Sequence, residues 1–354
     1  IVSADHPLAS AAGAQMLERG GNAVDAVVAA ALSAGVVQPA GSGLGGGGFA
    51  VVVRGDERVV LDFREIAPAA AHRDMYLDDA GNVIPGASTD GGLAVGVPGE
   101  PRGLAELLDR FGNLSASAVA KPAIEQASGG FPIGAHLVNC LGRYPEITPR
   151  LLDGWSAVPG QAERVRRKRL ARTLGAWARS GGDALYTGPI AADIVAATRD
   201  SGGVLTAEDL AAYQPVERPP LVGSYRGYTV VTMPPPSSGG AVLLQVLGVL
   251  EAWDLAELGH NSSEHLHLLA EAFQHAYADR ARLMGDPDFV DVPVDRMLDS
   301  ARIDEIRRSI YPSRTFERSY YGLDVGIPED GGTHHIAVID SDGMAVALTT
   351  TINT

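Results

Sequence analysis

Three side chains near the end of the chain have the types and spacing for hydroxyl chemistry: Thr333, Thr351 and Asn353, with Gly331-Gly332 directly before the first of them. A threonine hydroxyl is a weak nucleophile until a base takes its proton, and a free α-amino group on the same residue can be that base. Such an amine titrates near ~8 when unperturbed, close to working pH. It is free only if the bond between Gly332 and Thr333 is cut. The hydroxyl can make that cut itself by attacking the preceding carbonyl, which Gly332 leaves unshielded. The plain alternative is a Gly-Gly loop feeding an ordinary strand.

Two β-branched-rich runs around Ser341-Asp342-Gly343 must position these groups, and they read as a β-hairpin. A two-residue loop sets position 333 opposite 352; a three-residue loop with Gly343 left-handed sets it opposite 351. A one-residue slip moves every side chain to the other face. The second register is favoured, because it buries Ile336 and Val338 against Leu348 and Val346 and gathers Thr333, Thr351 and Asn353.

Upstream, residues 7–17 read as a helix and residues 23–37 as a second, capped by Asn22. Residues 43–48 match G-x-G-x-x-G, but the order here is helix, loop, strand, which rejects a dinucleotide site and leaves a tight backbone corner near a site. Strands are expected at 49–53 and 59–63, with Arg64 at the end of the second. A guanidinium presents a planar fork that grips a carboxylate bidentately; the alternative is a salt bridge to Asp62, Glu65 or solvent. Residues 91–99 read as strand and turn, and 103–111, 115–128, 191–198 and 206–212 as helices. The basic cluster at 164–172 reads as a solvated helix face. Residues 225–233 read as strand, Pro234-Pro235-Pro236 as an extended spacer, and Ser237 or Ser238 as cap of a helix at 241–253. A further helix opens at Asn261-x-x-Glu264 with an apolar stripe of Leu266, Leu269, Phe273 and Tyr277. His267, Glu271 and His275 share a face, which reads as solvated rather than metal-binding. Residues 311–332 lack periodicity and read as a flexible, cleavable connector.

Taken together, the runs GGNAVDA at 20–26, GLGGGGF at 43–49, DFREIAP at 62–68, GVPG at 96–99, YRGY at 225–228, PPPSSGG at 234–240, YADR at 277–280 and the terminal hairpin make the chain resemble the γ-glutamyltransferase family of N-terminal nucleophile hydrolases. The resemblance implies an α/β fold, a four-layer αββα sandwich with helices outside two stacked, mainly antiparallel sheets. It implies one structural domain, with 1–332 as the large subunit, 333–354 as the start of a small subunit, and self-cleavage between Gly332 and Thr333. It makes Thr333 the nucleophile, Thr351 the residue that positions it, Arg64 the partner of the substrate's α-carboxylate and Asn353 a partner of its α-amine. The implied reaction passes a γ-glutamyl group, from glutathione for example, to water or to an amino-acid or peptide acceptor, with no metal or organic cofactor. Family members are typically exported, so an extracellular or periplasmic location is expected. Departures are Thr333-His334-His335 where the family has Thr-Thr-His, and Met344 where Asn is common. The family's later small-subunit strands, with an acidic group, a serine pair and oxyanion-hole glycines, have no counterpart before Thr354, so the chain is expected to be most of a precursor. The rival readings are a glutaryl (cephalosporin) acylase of the same family and an unprocessed, silent precursor or binding scaffold.

Composition agrees with a buried core and narrows the partners. Of 354 residues, 45% are hydrophobic and 20% charged, and the formal charge of -15 argues against nucleic acid. One cysteine, Cys140, cannot form an internal disulfide and leaves the compartment open. No apolar run reaches the ~18 residues of a membrane span, and Ile1-Val2-Ser3-Ala4-Asp5 lacks a signal-peptide pattern, which reads as a mature or trimmed start.

Overall fold

The computed structural model describes residues 1–322 and 332–353. The chain divides into two compact units, one of Ile1–Glu57, Leu61–Glu217 and Asp330–Thr354, the other of Arg58–Val60 and Arg218–Glu329.

The first unit carries a six-stranded sheet. In spatial order its strands are β1 (Val2–Ser3), β7 (His334–Ile339), β8 (Ala345–Thr351), β2 (Gly47–Arg54), β3 (Glu57–Phe63) and β4 (Val216–Arg218). β8 runs antiparallel to both β7 and β2, pairing Thr350 with His334 on one side and Thr351 with Gly47 on the other. The favoured hairpin register is therefore found: Ala345 faces Ile339, which carries position 351 opposite 333. Ser341-Asp342-Gly343 forms the loop, with Gly343 at φ 84°, a left-handed value that glycine adopts without a Cβ clash.

Strand alternation sorts the hairpin by face. His334, Ile336, Val338, Val346, Leu348 and Thr350 are buried, on the side where helix α2 (Ala23–Val37) packs on β7 and β8. Every residue of α2 is buried, between the sheet, α1 (Pro7–Glu18), α3 (Glu100–Phe111) and α4 (Ala116–Gly129). An Ala- and Val-lined helix suits so crowded a layer. Its start is fixed by a capping box, in which Asn22 Oδ1 accepts from Val24 and Asp25 N–H groups and Asp25 accepts from the Asn22 N–H.

The end of α2 has no basic residue of its own. Its orphan carbonyls are met by Arg167, whose Nη1 donates to Gly35 at 2.6 Å and Val36 at 3.0 Å. The basic cluster is thus not simply a solvated face. Arg167 turns inward just before helix α5 (Lys168–Ser180), and burial lowers its pKa to about 10.

The second unit holds a hairpin of β5 (Leu221–Tyr225) and β6 (Tyr228–Thr232), where the sequence reads as one strand. Arg226 at φ 50° and Gly227 at φ 84° make its tight turn. The proline run turns at Pro235-Pro236, a cis bond, instead of extending. Helix α8 (Gly239–Leu250) begins after Ser238, but the Ser238 hydroxyl accepts from Arg280, and Ser237 Oγ takes the Gly239 N–H. Helix α9 (Ser263–Leu283) is capped by Ser262 rather than Asn261.

Most of the apolar stripe on α9 faces out, with Leu266 51%, Phe273 42% and Tyr277 37% exposed, while Leu269 packs against the core. The buried side carries Leu268, Ala272 and Ala276 together with Glu271, His275 and Asp279. Each acid is satisfied from elsewhere in the chain. Tyr321 donates to Glu271, and Arg302, Arg282 and Gln245 donate to Asp279. Among the described residues no three His, Cys, Asp or Glu side chains gather as a metal would require. Within the connector, residues 311–322 are mostly exposed and are tied down by the buried Tyr321, whose hydroxyl meets Thr315 and Glu271, and by stacked Phe316 and Tyr320; residues 323–331 lie outside the described part.

The expected mixed helix-and-sheet class is found. Among the described residues the six-stranded sheet is the large one, and the other two sheets have two strands each.

Candidate active site

Thr333, Thr351 and Gly332 meet where β7 begins and β8 ends. The Thr333 hydroxyl donates to Thr351 Oγ1 at 3.3 Å, and the Thr351 hydroxyl donates to the Gly332 carbonyl at 3.1 Å. Thr351 Oγ1 also accepts the Asn353 backbone N–H at 2.9 Å. One donor and two acceptor positions of that hydroxyl are thereby filled. A hydroxyl so saturated has one orientation, and its proton lies on the carbonyl that precedes Thr333. Gly332 sits at φ 131°, a conformation open to glycine.

The glycine run brings a backbone up to this pair. A Cβ on Gly46 would lie 2.1 Å from the Thr351 carbonyl oxygen, and one on Gly48 2.2 Å from that of Thr349. The tight corner expected from residues 43–48 is what lets β2 lie so near.

Arg64 stands just past the end of β3. Its Nη2 donates to Asn353 Oδ1 at 2.9 Å and to Glu65 Oε1 at 2.6 Å. Asn353 Nδ2 donates to the same Glu65 oxygen at 2.9 Å. Arg64 and Asn353 are thus brought together, and the local Glu65 ion pair exists alongside. The sequence marks Glu65 only as an ion-pair partner for Arg64, since an acid beside an arginine reads as an ordinary surface pair. No motif in the sequence marks Tyr213; its hydroxyl donates to the Arg64 carbonyl at 2.9 Å, and burial raises its pKa.

His334 projects to the opposite, buried face. Its ring nitrogens face Asp5 Oδ2 at 2.8 Å and the Gln38 carbonyl at 2.9 Å. A Cβ on Gly41 would lie 2.7 Å from that ring. His335 Nδ1 meets Thr349 Oγ1 at 2.8 Å.

Just before β7 a threonine directly follows a glycine carbonyl, and a second threonine is hydrogen-bonded to both. A family model described as Gamma-glutamyltranspeptidase matches residues 9–354, and the chain belongs to that family. It is similar to the glutathione hydrolase proenzyme of Pseudomonas sp. (strain A14), 40% identical over 363 residues, which takes in 100% of this chain and 63% of the relative. It is also similar to the acylase ACY 1 proenzyme of Pseudomonas sp. (strain SE83), 40% identical over 100% of this chain and 65% of the relative. The crystal structure of Helicobacter pylori gamma-glutamyltranspeptidase superposes with a TM-score of 0.84 at 41% identity, covering 89% of this chain and 93% of that one. The chain thus spans less than two thirds of the length of these two proenzymes.

Proposed function

We propose that this chain is the greater part of a self-processing γ-glutamyltransferase or glutathione hydrolase precursor, with Thr333 as the nucleophile. One observation carries the reading: Thr333 bonds to Thr351, Thr351 accepts the Asn353 backbone N–H, and the Asn353 side chain accepts from Arg64, so Asn353 joins the hydroxyl pair to the guanidinium. A reactive hydroxyl and a carboxylate-gripping cation so joined suit an amino-acid donor.

In maturation, Thr333 Oγ attacks the Gly332 carbonyl carbon and the Thr351 hydroxyl steadies the charge growing on its oxygen. The C–N bond breaks as the Oγ proton passes to the departing nitrogen, leaving an ester on Oγ and a free amine on Thr333. Water then cleaves the ester, and residues 1–332 end in a carboxylate. In turnover the freed amine takes the Oγ proton, Oγ attacks the γ-glutamyl amide, and the protonated amine gives its proton to the leaving group. Water or an amino acid takes the acyl group. Arg64 pairs with the substrate's α-carboxylate and Asn353 Oδ1 accepts from its α-amine.

The acylase relative motivates a second reading, in which the acyl group lacks that amine and demands less of Asn353. Rates of the full-length protein on γ-glutamyl and glutaryl anilides separate the two. The γ-glutamyl compound is expected to be the faster; a reversed preference would establish the acylase, and a persistent single chain inert to both would establish a silent scaffold. No helix among the described residues is long and apolar enough to cross a membrane. An extracellular or periplasmic location, as is typical of the family, belongs to the same proposal.

A further inference from the structure

Glu100 is the first residue of α3 and is completely buried. One carboxylate oxygen, Oε2, contacts the Thr350 hydroxyl, which in turn donates to the Gly47 carbonyl at 3.3 Å. The other, Oε1, has no hydrogen-bond partner. The small cavity beside it is lined by Leu32 and Gly35 of α2, Gly43 and Leu44 of the glycine run, and Leu170 and Leu174 of α5. The ionisable neighbour is Tyr186, whose hydroxyl donates to the Pro98 carbonyl at 2.7 Å and accepts the Arg102 N–H at 3.3 Å. Arg102 itself is held by Asp183 and the Tyr213 carbonyl. Among the described residues no cation pairs with Glu100.

Thr350 precedes Thr351 and pairs with Gly48, while Thr351 pairs with Gly47. The Glu100 N–H also donates to the Gly46 carbonyl at 2.9 Å, and Gly46 is pressed against Thr351. α3 therefore holds the end of β8 from two sides. We propose that Glu100 is a positioning residue for Thr351, acting through Thr350 as an uncharged acid. In that form Glu100 donates to Thr350 Oγ1 and Thr350 donates to Gly47, so acid, hydroxyl and carbonyl form one directed chain. An ionised Glu100 takes the Thr350 proton instead, releases the Gly47 carbonyl and leaves a charge facing an apolar cavity. Burial, opposed by the Thr350 contact and by the Gly43 backbone N–H, pushes the Glu100 pKa up to about 7, so the exchange falls within the working range. The inference rests on the reading that Thr351 orients Thr333.

The test compares the full-length wild type with Glu100→Gln, whose amide donates to Thr350 at every pH. The ratio of wild-type to variant kcat for γ-glutamyl anilide hydrolysis is expected to fall at least threefold between pH 6 and pH 8.5, with a midpoint near 7 and no matching change in KM. The amine's own titration cancels in that ratio. A flat ratio overturns the role of Glu100 while leaving the hydrolase reading intact; absence of hydrolysis in both proteins counts against the hydrolase reading instead. Infrared spectroscopy of the wild type keeps the test open if the variant does not fold or neither protein turns over. A buried-carboxyl band that disappears as pH rises through 7 supports the inference, and an ionised group at pH 6 overturns it.

Discussion

At the scale of single residues, Arg64 and Asn353 interlock through Glu65, so each orients the other. Arg64→Lys keeps the charge and loses the fork. The KM for γ-glutamyl donors is expected to rise at least about tenfold, roughly 1.4 kcal/mol of binding, with a smaller change in kcat; an unchanged KM would remove Arg64 from the substrate site. Tyr213→Phe removes one hydrogen bond to the Arg64 carbonyl. A loss on the order of 1 kcal/mol is expected, read as a KM increase without a change in self-cleavage. Thr333 could be singled out in the sequence because the chemistry demands its type and a glycine before it, whereas the roles of Thr351, Asn353 and Arg64 came with the family resemblance. Glu65 and Glu100 could not be singled out, since what marks them is the set of distant partners each has, or lacks, in the fold.

Among the elements, the terminal hairpin was the most legible, because its apolar alternation chooses between the two registers that its Asp-Gly turn allows. Gly343→Ala places a Cβ at a left-handed φ, and chemical denaturation is expected to show a loss of about 1 kcal/mol. Gly46→Ala is expected to be worse, since its Cβ would collide with the Thr351 carbonyl. It should slow self-cleavage as well as lower stability, and a variant that matures at the wild-type rate would show that the close approach of β2 is dispensable. The face of α9 was illegible for the opposite reason. Apolar periodicity points to Leu266, Phe273 and Tyr277, but Glu271 and Asp279 are buried through donors located as far away as Arg302 and Tyr321. Arg167 misled in the same way, since the carbonyls it serves lie about 130 residues earlier.

For the whole molecule, the buried acid under β8 makes stability depend on pH. The Glu100 pKa lies near 4.5 unfolded and about 7 folded, so between those values the folded state keeps a proton that the unfolded state releases. Its contribution is complete below pH 4.5 and is lost as pH rises through 7. The swing is on the order of 3 kcal/mol. Urea unfolding of the wild type between pH 4.5 and 8, compared with Glu100→Gln, should show this decline in the wild type and its absence in the variant.

Mass spectrometry of the full-length product tests the central claim most directly. The wild type is expected to yield two chains, the second beginning at Thr333, while Thr333→Ala yields one uncut, inactive chain. Cleavage of the Thr333→Ala protein at the same bond, or amide turnover by an intact chain, would contradict the account.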